Sequence, residues 1–302
     1  MLRTNKFLVL TTLSVSFVLV LVYLSLLSRI FDSSLLLPIR LSKVSLLLPP
    51  ANGNAALPPP RHIIPNSLLF TYSSNLLTMN VSDNVLKNNV LKTIDMYQSA
   101  DVRFLTDQDC LLLLQDYYQD DAAFMRQHYI GEKGMIKGDI CRGLALYKDG
   151  GLYMDVDLHC RTSVWPLIHV NTTFVTVVEF DGSKNFFQAF IAVTPRHAII
   201  KRYLDLFLKH YKGELKTKKK DKVNFKKGTV LLRIAHRQVI AEQPDLVSSI
   251  QLWKEIKYNP IKFAHIEKPP GRRFMCQFLV FDAQLNVPFW SHVPGSSRLC
   301  RV

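Results

Sequence analysis

The stretch from Gly138 to Asp157 reads Gly-Asp-Ile-Cys-Arg-Gly-Leu-Ala-Leu-Tyr-Lys-Asp-Gly-Gly-Leu-Tyr-Met-Asp-Val-Asp. It couples a helical segment, a Gly-Gly break and a strand that ends in two carboxylates two residues apart. Side chains alternate across a strand, so Tyr153, Asp155 and Asp157 share one face while Leu152, Met154 and Val156 share the other. The apolar face suits a core, which turns the tyrosine and both acids toward a common cleft. Two carboxylates roughly 7 Å apart along a strand repel each other, more strongly once desolvated. A divalent cation set between them and a polyphosphate removes that conflict.

Spacing alone is weak evidence, and the chain carries its own control. Asp107-Gln108-Asp109 has the same spacing but sits in a polar stretch after a strand, where a turn or helix cap is expected. The residues before Asp155 separate the two cases. Asp139 and Arg142 are three apart and so neighbours on one helix face, placed to form an ion pair. Leu144, Leu146 and Tyr147 give that helix an apolar side, and Gly150-Gly151 ends it directly before the strand. A donor–acceptor pair is thereby delivered beside the carboxylates, as recognition of sugar hydroxyls requires.

The block resembles the DxxRxxxLYxxGGxYxDxD signature of glycosyltransferase family 32, the DXD-containing sugar transferases whose core is similar to that of clostridial glucosylating toxins. The matching residues are Asp139, Arg142, Leu146, Tyr147, Gly150, Gly151, Tyr153, Asp155 and Asp157. Shorter stretches echo the same family. Residues 64–71, Ile-Pro-Asn-Ser-Leu-Leu-Phe-Thr, are similar to its opening strand, and Asn185-Phe-Phe-Gln-Ala189 to the segment after the DXD strand. Gly228-Thr229 falls where Thr-Gly-Pro is common, without the proline. His292-Val-Pro-Gly295-Ser296-Ser297 is similar to a C-terminal motif that normally ends in tryptophan.

The resemblance implies a GT-A-like fold and a retaining transfer of a hexose from a nucleotide sugar to a glycan or glycolipid. It implies that Asp157, with Asp155, holds Mn²⁺ or Mg²⁺ on the donor diphosphate, hard oxygen ligands suiting either ion. Asp139 and Arg142 would bind hydroxyls of the transferred sugar, and Tyr153 would pack near the nucleoside or sugar. His292 would add a metal or diphosphate contact from the end of the chain. GDP-mannose is the first donor expected by this analogy, ahead of UDP-galactose, UDP-N-acetylglucosamine and UDP-glucose.

Residues 7–27 carry no charge and are long enough to span a bilayer as an uncleaved helix. Basic residues flank that segment on both sides, so charge gives no orientation. The family resemblance implies a type II arrangement: residues 1–6 cytosolic, the body in the lumen of the Golgi or endoplasmic reticulum. Residues 28–65, with Pro49-Pro50 and Pro58-Pro59-Pro60, read as a stem. Residues 66–302 suit one α/β domain. Within it, strands are expected at 68–72, 102–106, 174–180 and 190–193, and helices at 85–97, 198–211 and 230–240. Strands alternating with helices point to a mainly parallel central sheet flanked by helices, with ligands at the carboxyl ends of the strands.

The formal charge of +14 is unevenly placed, with lysines crowded between Lys209 and Lys227. That segment is either a solvated loop or an attractor of acidic glycans or lipid head groups. No nucleic-acid motif accompanies the lysines, so a nucleic-acid partner is not expected. Five cysteines show no metal-ligand spacing. In an oxidising lumen Cys276 and Cys300 are the favoured pair, and Cys141 is read as a buried apolar residue. Asn80-Val81-Ser82 and Asn171-Thr172-Thr173 are glycosylation sequons. Two other readings of the block stand beside the transferase. One is a catalytically silent, membrane-anchored binding protein; the other is a metal-dependent phosphoesterase or nucleotidyltransferase, which lacks a phosphate-cradling glycine loop here.

Overall fold

The computed structural model describes residues 62–80, 84–180, 184–215, 227–258, 278–282, 284 and 286–290. The expected tail, anchor and stem as far as residue 61 lie outside the described residues, as do residues 216–226, Cys276, His292 and Cys300. Among the described residues no helix is long and apolar enough to cross a membrane.

The chain enters on β1 (Ser67–Thr71) and passes through α1 (Val85–Met96) to β2 (Asp101–Leu105), which pairs parallel with β1. Asn84 caps α1, its side-chain oxygen accepting from the N–H groups of Leu86 and Lys87. Next comes α2 (Asp107–Tyr118), where Thr106 and Asp109 form a reciprocal capping box. The control pair Asp107 and Asp109 is therefore a helix start. After α3 (Ala122–Gly131), α4 (Gly134–Asp149) runs through the middle of the domain. Every residue of α4 from Asp139 to Leu146 is buried. Gly150 (φ 66°) and Gly151 (φ 102°) then turn the chain into β3 (Gly151–Met154). A Cβ on Gly151 would lie 2.0 Å from Ser67 Oγ, so only glycine lets β3 start this close to β1.

The rest of the sheet is β4 (His159–Cys160), β5 (Phe174–Val178), β6 (Phe186–Val193), β7 (Ile250–Lys257), β8 (Phe278–Phe281) and β9 (Phe289–Trp290). Helices α5 (Ala198–Tyr211) and α6 (Lys227–Glu242) lie between β6 and β7. The strand order is β2-β1-β3-β6-β5-β7-β8-β9-β4. Only β1–β2, β1–β3 and β5–β7 pair parallel; β3–β6, β5–β6, β7–β8, β8–β9 and β4–β9 are antiparallel. The fold is mixed α/β, and the expected mainly parallel sheet is corrected. A parallel neighbour needs a crossover of a dozen or more residues, and β5 reaches β6 without one.

Alternation along the strands feeds two cores. Leu69, Tyr153, Ile191 and Val193 face α2 through α6, where Leu144, Ile200, Leu204, Phe207 and Leu231 pack against them. Leu68, Phe70, Leu152, Met154, Phe190 and Ala192 face the other way, onto Val90 of α1 and Trp253 of β7. A disulfide between Cys110 and Cys141 staples α2 to α4. Cys141 is thus buried but cross-linked, which corrects its reading as a simple apolar filler. Cys160 is buried and outside any disulfide.

Candidate active site

The site forms where α4 passes the carboxyl ends of β1 and β3. Asp139 and Arg142 of α4 pair at 3.2 Å with side chains only 7% and 6% exposed. Arg142 also reaches Asp155, Nη1 to Oδ1, at 3.3 Å. The same guanidinium donates to the carbonyls of Gly138 (3.1 Å) and Gln188 (2.5 Å) and lies over the Tyr153 ring at 4.5 Å. One cation therefore organises two carboxylates, with its donors directed at fixed acceptors.

Tyr153 closes the arrangement. Its ring is buried in the helix-side core, so the tyrosine acts here through its hydroxyl and not through an open ring face. That hydroxyl donates to Asp155 Oδ1 and lies 3.0 Å from the Thr71 hydroxyl at the end of β1. Burial holds the phenol well above its usual range, so it stays a donor toward Asp155. Asp155 itself is 29% exposed and sits one residue past β3. Its N–H donates to the Ala189 carbonyl, and its own carbonyl accepts from Leu158 N–H.

Residues 155–158 therefore form a turn, and Asp157 lies partly buried within it. The simple strand alternation that placed both acids on one face ends at Met154 and does not extend to Asp157. The face carrying Leu152, Met154 and Val156 does enter a core.

Electrostatics at the pair are those of groups removed from water. Burial pushes the Asp139 carboxyl up to about 7, with Arg142 pulling against it and Asp155 adding to it. Burial would by itself lower the Arg142 guanidinium, but Asp155, Tyr153 and Asp139 around it hold it above its usual value. The first turn of α6 covers Asp139. A Cβ on Gly228 would lie 2.0 Å from Asp139 Oδ2. Tyr203 of α5 donates to the Asp139 carbonyl and to Gln188 Oε1.

The structure thus brings Asp139, Arg142, Tyr153 and Asp155 into one bonded cluster, with Asp157 on the adjoining turn. His292 lies outside the described residues. Thr71, Gln188, Tyr203 and Gly228 were not singled out as site residues from sequence. Three of them sit in stretches that echo the family: Thr71 ends the first, Gln188 lies in the second and Gly228 opens the third. Tyr203 carries no signal beyond its place on an amphipathic helix. Among the described residues no group of three or more His, Cys, Asp or Glu gathers to hold a metal. Asp155 and Asp157 fit a hard octahedral cation that keeps several waters and leans on substrate phosphates, and do not fit the closed nitrogen and sulfur set of structural zinc.

Residues 81–174 match the family model described as a glycosyltransferase sugar-binding region containing a DXD motif. In this region the chain is glycosyltransferase-like. The matched segment carries Asp139, Arg142, Tyr153, Asp155 and Asp157 and stops before β6, α5 and α6. No curated protein matches the chain. Among solved structures it is similar to the PaToxG glycosyltransferase, at 17% identity and a TM-score of 0.37 over 63% of this chain and 74% of that one. It is also similar to a transferase mutant, at 12% identity and a TM-score of 0.38 over 61% and 86%. The ligand-free glycosyltransferase domain of the YGT toxin aligns at 13% identity and a TM-score of 0.32, over 55% and 56%. Likeness at this level does not carry an activity from those proteins to this chain.

Proposed function

We propose that this protein is a membrane-anchored, metal-dependent glycosyltransferase with a GT-A-like catalytic domain, moving a hexose from a nucleotide sugar to a glycan or glycolipid. The observation that carries the reading is the Asp139–Arg142–Asp155 cluster at the carboxyl ends of two parallel strands. It lies inside the segment that matches the DXD sugar-binding region. Asp155 and Asp157 would hold Mn²⁺ or Mg²⁺, which when bound supplies charge neutralisation for a departing diphosphate. Arg142 and the Tyr153 hydroxyl fix the Asp155 carboxylate in one orientation, so its acceptor direction is set before donor arrives. Asp139, which the first turn of α6 covers at Gly228, and Arg142 would meet the transferred sugar at the narrow edge they expose. His292 is proposed as a further contact from the C-terminal motif. Transfer proceeds with retention, GDP-mannose is the first donor to test, and the domain faces the lumen of the Golgi or endoplasmic reticulum.

The test incubates the full chain with Mn²⁺ and a panel of GDP- and UDP-sugars and measures nucleoside diphosphate release. Release from one donor, abolished by chelator and lowered at least about a hundredfold by Asp157→Asn, supports the reading. Donor binding without release, in the presence of candidate acceptors, instead identifies a binding protein. Release of phosphate from simple esters with no sugar donor identifies a phosphoesterase.

A further inference from the structure

A cavity of about 580 Å³ opens between α2, α4 and α5, at the end of α4 away from the cluster. Lys148, on its rim, is roughly 13 Å along the helix from Asp139. Its volume falls within the range of ordinary ligand sites. Two tyrosines form an aromatic wall: the Tyr117 ring meets Tyr147 edge-on at 5.1 Å, with an interplanar angle of 87°. Both rings are partly exposed and offer apolar surface to a pyranose.

The polar groups around them are mostly paired. Asp116 is bound by Lys148 at 2.7 Å. Asp205 is bound by Lys201 at 2.9 Å and accepts from the Tyr117 hydroxyl at 3.1 Å. Of the charged side chains on the lining Arg196 is the exception: among the described residues its exposed guanidinium has no partner. Its backbone is held at a φ of 55°, a conformation that glycine adopts more readily than arginine. Two contacts impose it. Arg196 N–H donates to the Tyr147 carbonyl at 2.7 Å, and Pro195 packs so close to Gly150 that a Cβ there would lie 2.7 Å from the proline ring. The turn is thus clamped to the end of α4, and an arginine is kept where its backbone is strained and its charge unanswered. Strained non-glycine positions cluster at ligand clamps, active sites and switch regions.

We infer that this cavity is a second carbohydrate site, apart from the donor site, that takes an anionic sugar residue of a glycan. The tyrosines would stack on the ring, the paired lysines and acids would exchange hydrogen bonds with hydroxyls, and Arg196 would pair with the anionic group. A guanidinium suits a carboxylate, a sulfate or a phosphate, since each presents two oxygens to its fork.

The test is a ligand-observed NMR titration of the full chain with glucuronate, glucose 6-sulfate, glucose 6-phosphate and glucose. Inorganic sulfate and phosphate serve as controls, and each titration is repeated with saturating nucleoside diphosphate and Mn²⁺. At least one anionic sugar is expected to bind in the millimolar range, about tenfold or more tighter than glucose and than the bare anion, and undisturbed by the nucleotide. The order among the three anions tells which group the site prefers. Arg196→Gly relieves the backbone and removes the charge, so it should weaken that binding by about tenfold or more while leaving nucleoside diphosphate release unchanged. Equal binding of glucose or of the bare anion, displacement by the nucleotide, unaltered binding by Arg196→Gly, or no binding in the millimolar range would each overturn the inference.

Discussion

Gly228 and Asp139 meet without room for a methyl group. A Cβ on Gly228 would stand 2.0 Å from one carboxylate oxygen of Asp139 and 2.8 Å from the other. Asp139 cannot swing aside cheaply, because Arg142 holds it and the pair is almost fully buried. Alanine at 228 therefore has to push the start of α6 outward or break the ion pair. Overpacking of this kind costs about 1–3 kcal/mol, and an acid parted from its buried cation adds to that. Gly228→Ala is expected to lower stability in urea melts by that amount and to weaken nucleotide-sugar binding, though residue 228 carries no chemistry itself. Stability and binding both equal to wild type would mean that α6 yields freely at this point, and that its first turn does not set the position of Asp139.

Two elements fix the helices around the cluster. The Cys110–Cys141 disulfide closes a loop of 31 residues and ties α2 to the site helix. By the loop-entropy relation such a cross-link is worth roughly 3–4 kcal/mol. The double variant Cys110→Ala, Cys141→Ala should lose about that much against the oxidised protein, and reductant should then lower its melt by that much less than it lowers wild type. At the start of α5, His197 is buried, stacks on Phe174 and accepts from Ile199 N–H. Burial pulls its imidazole down to about 4. The unfolded chain takes up this proton below about 6.5 while the folded protein refuses it until about 4, so stability is full above 6.5 and is lost as pH falls between the two values. The loss is about 3 kcal/mol. Asn at 197 keeps an N-capping oxygen without titrating. The stability of His197→Asn relative to wild type, from urea melts at pH 7.5 and 4.5, should shift in favour of the variant at the lower pH.

Elements with clean periodicity were legible before the structure. The spacing in residues 85–97 and 198–211 gives α1 and α5 almost to the residue. By contrast α2 holds four consecutive leucines, which blur any face, and β4 and β9 are two residues each and exist only through their pairing. In the site, Asp139, Arg142, Tyr153 and Asp155 lie on one helix, the strand that follows it and the first residue beyond that strand, so local spacing brings them together. Gln188 and Gly228 approach from β6 and α6, and no local pattern records that approach.

At the scale of the whole molecule, the described residues fall within one compact unit, Pro58–Val302, built on a single nine-stranded sheet. The cluster ties together the two strands that flank β3 and a helix distant in sequence: Thr71 belongs to β1, Gln188 to β6 and Gly228 to α6. A ligand gripping the cluster should therefore stabilise the unit as a whole and not one loop. Binding to the folded state alone raises stability by about 2.7 kcal/mol at a hundredfold excess over Kd. Nucleoside diphosphate with Mn²⁺ is expected to move one cooperative thermal transition upward by a few degrees, roughly 2–4 °C per kcal/mol at this size. Chelator should abolish the shift, and either component alone should give much less. On the turn of residues 155–158, Asp157→Asn should remove the metal-dependent rise, measured against that variant's own transition without ligand. A rise of full size in Asp157→Asn would take the metal away from this turn, and a rise without metal in wild type would take it out of nucleotide binding altogether.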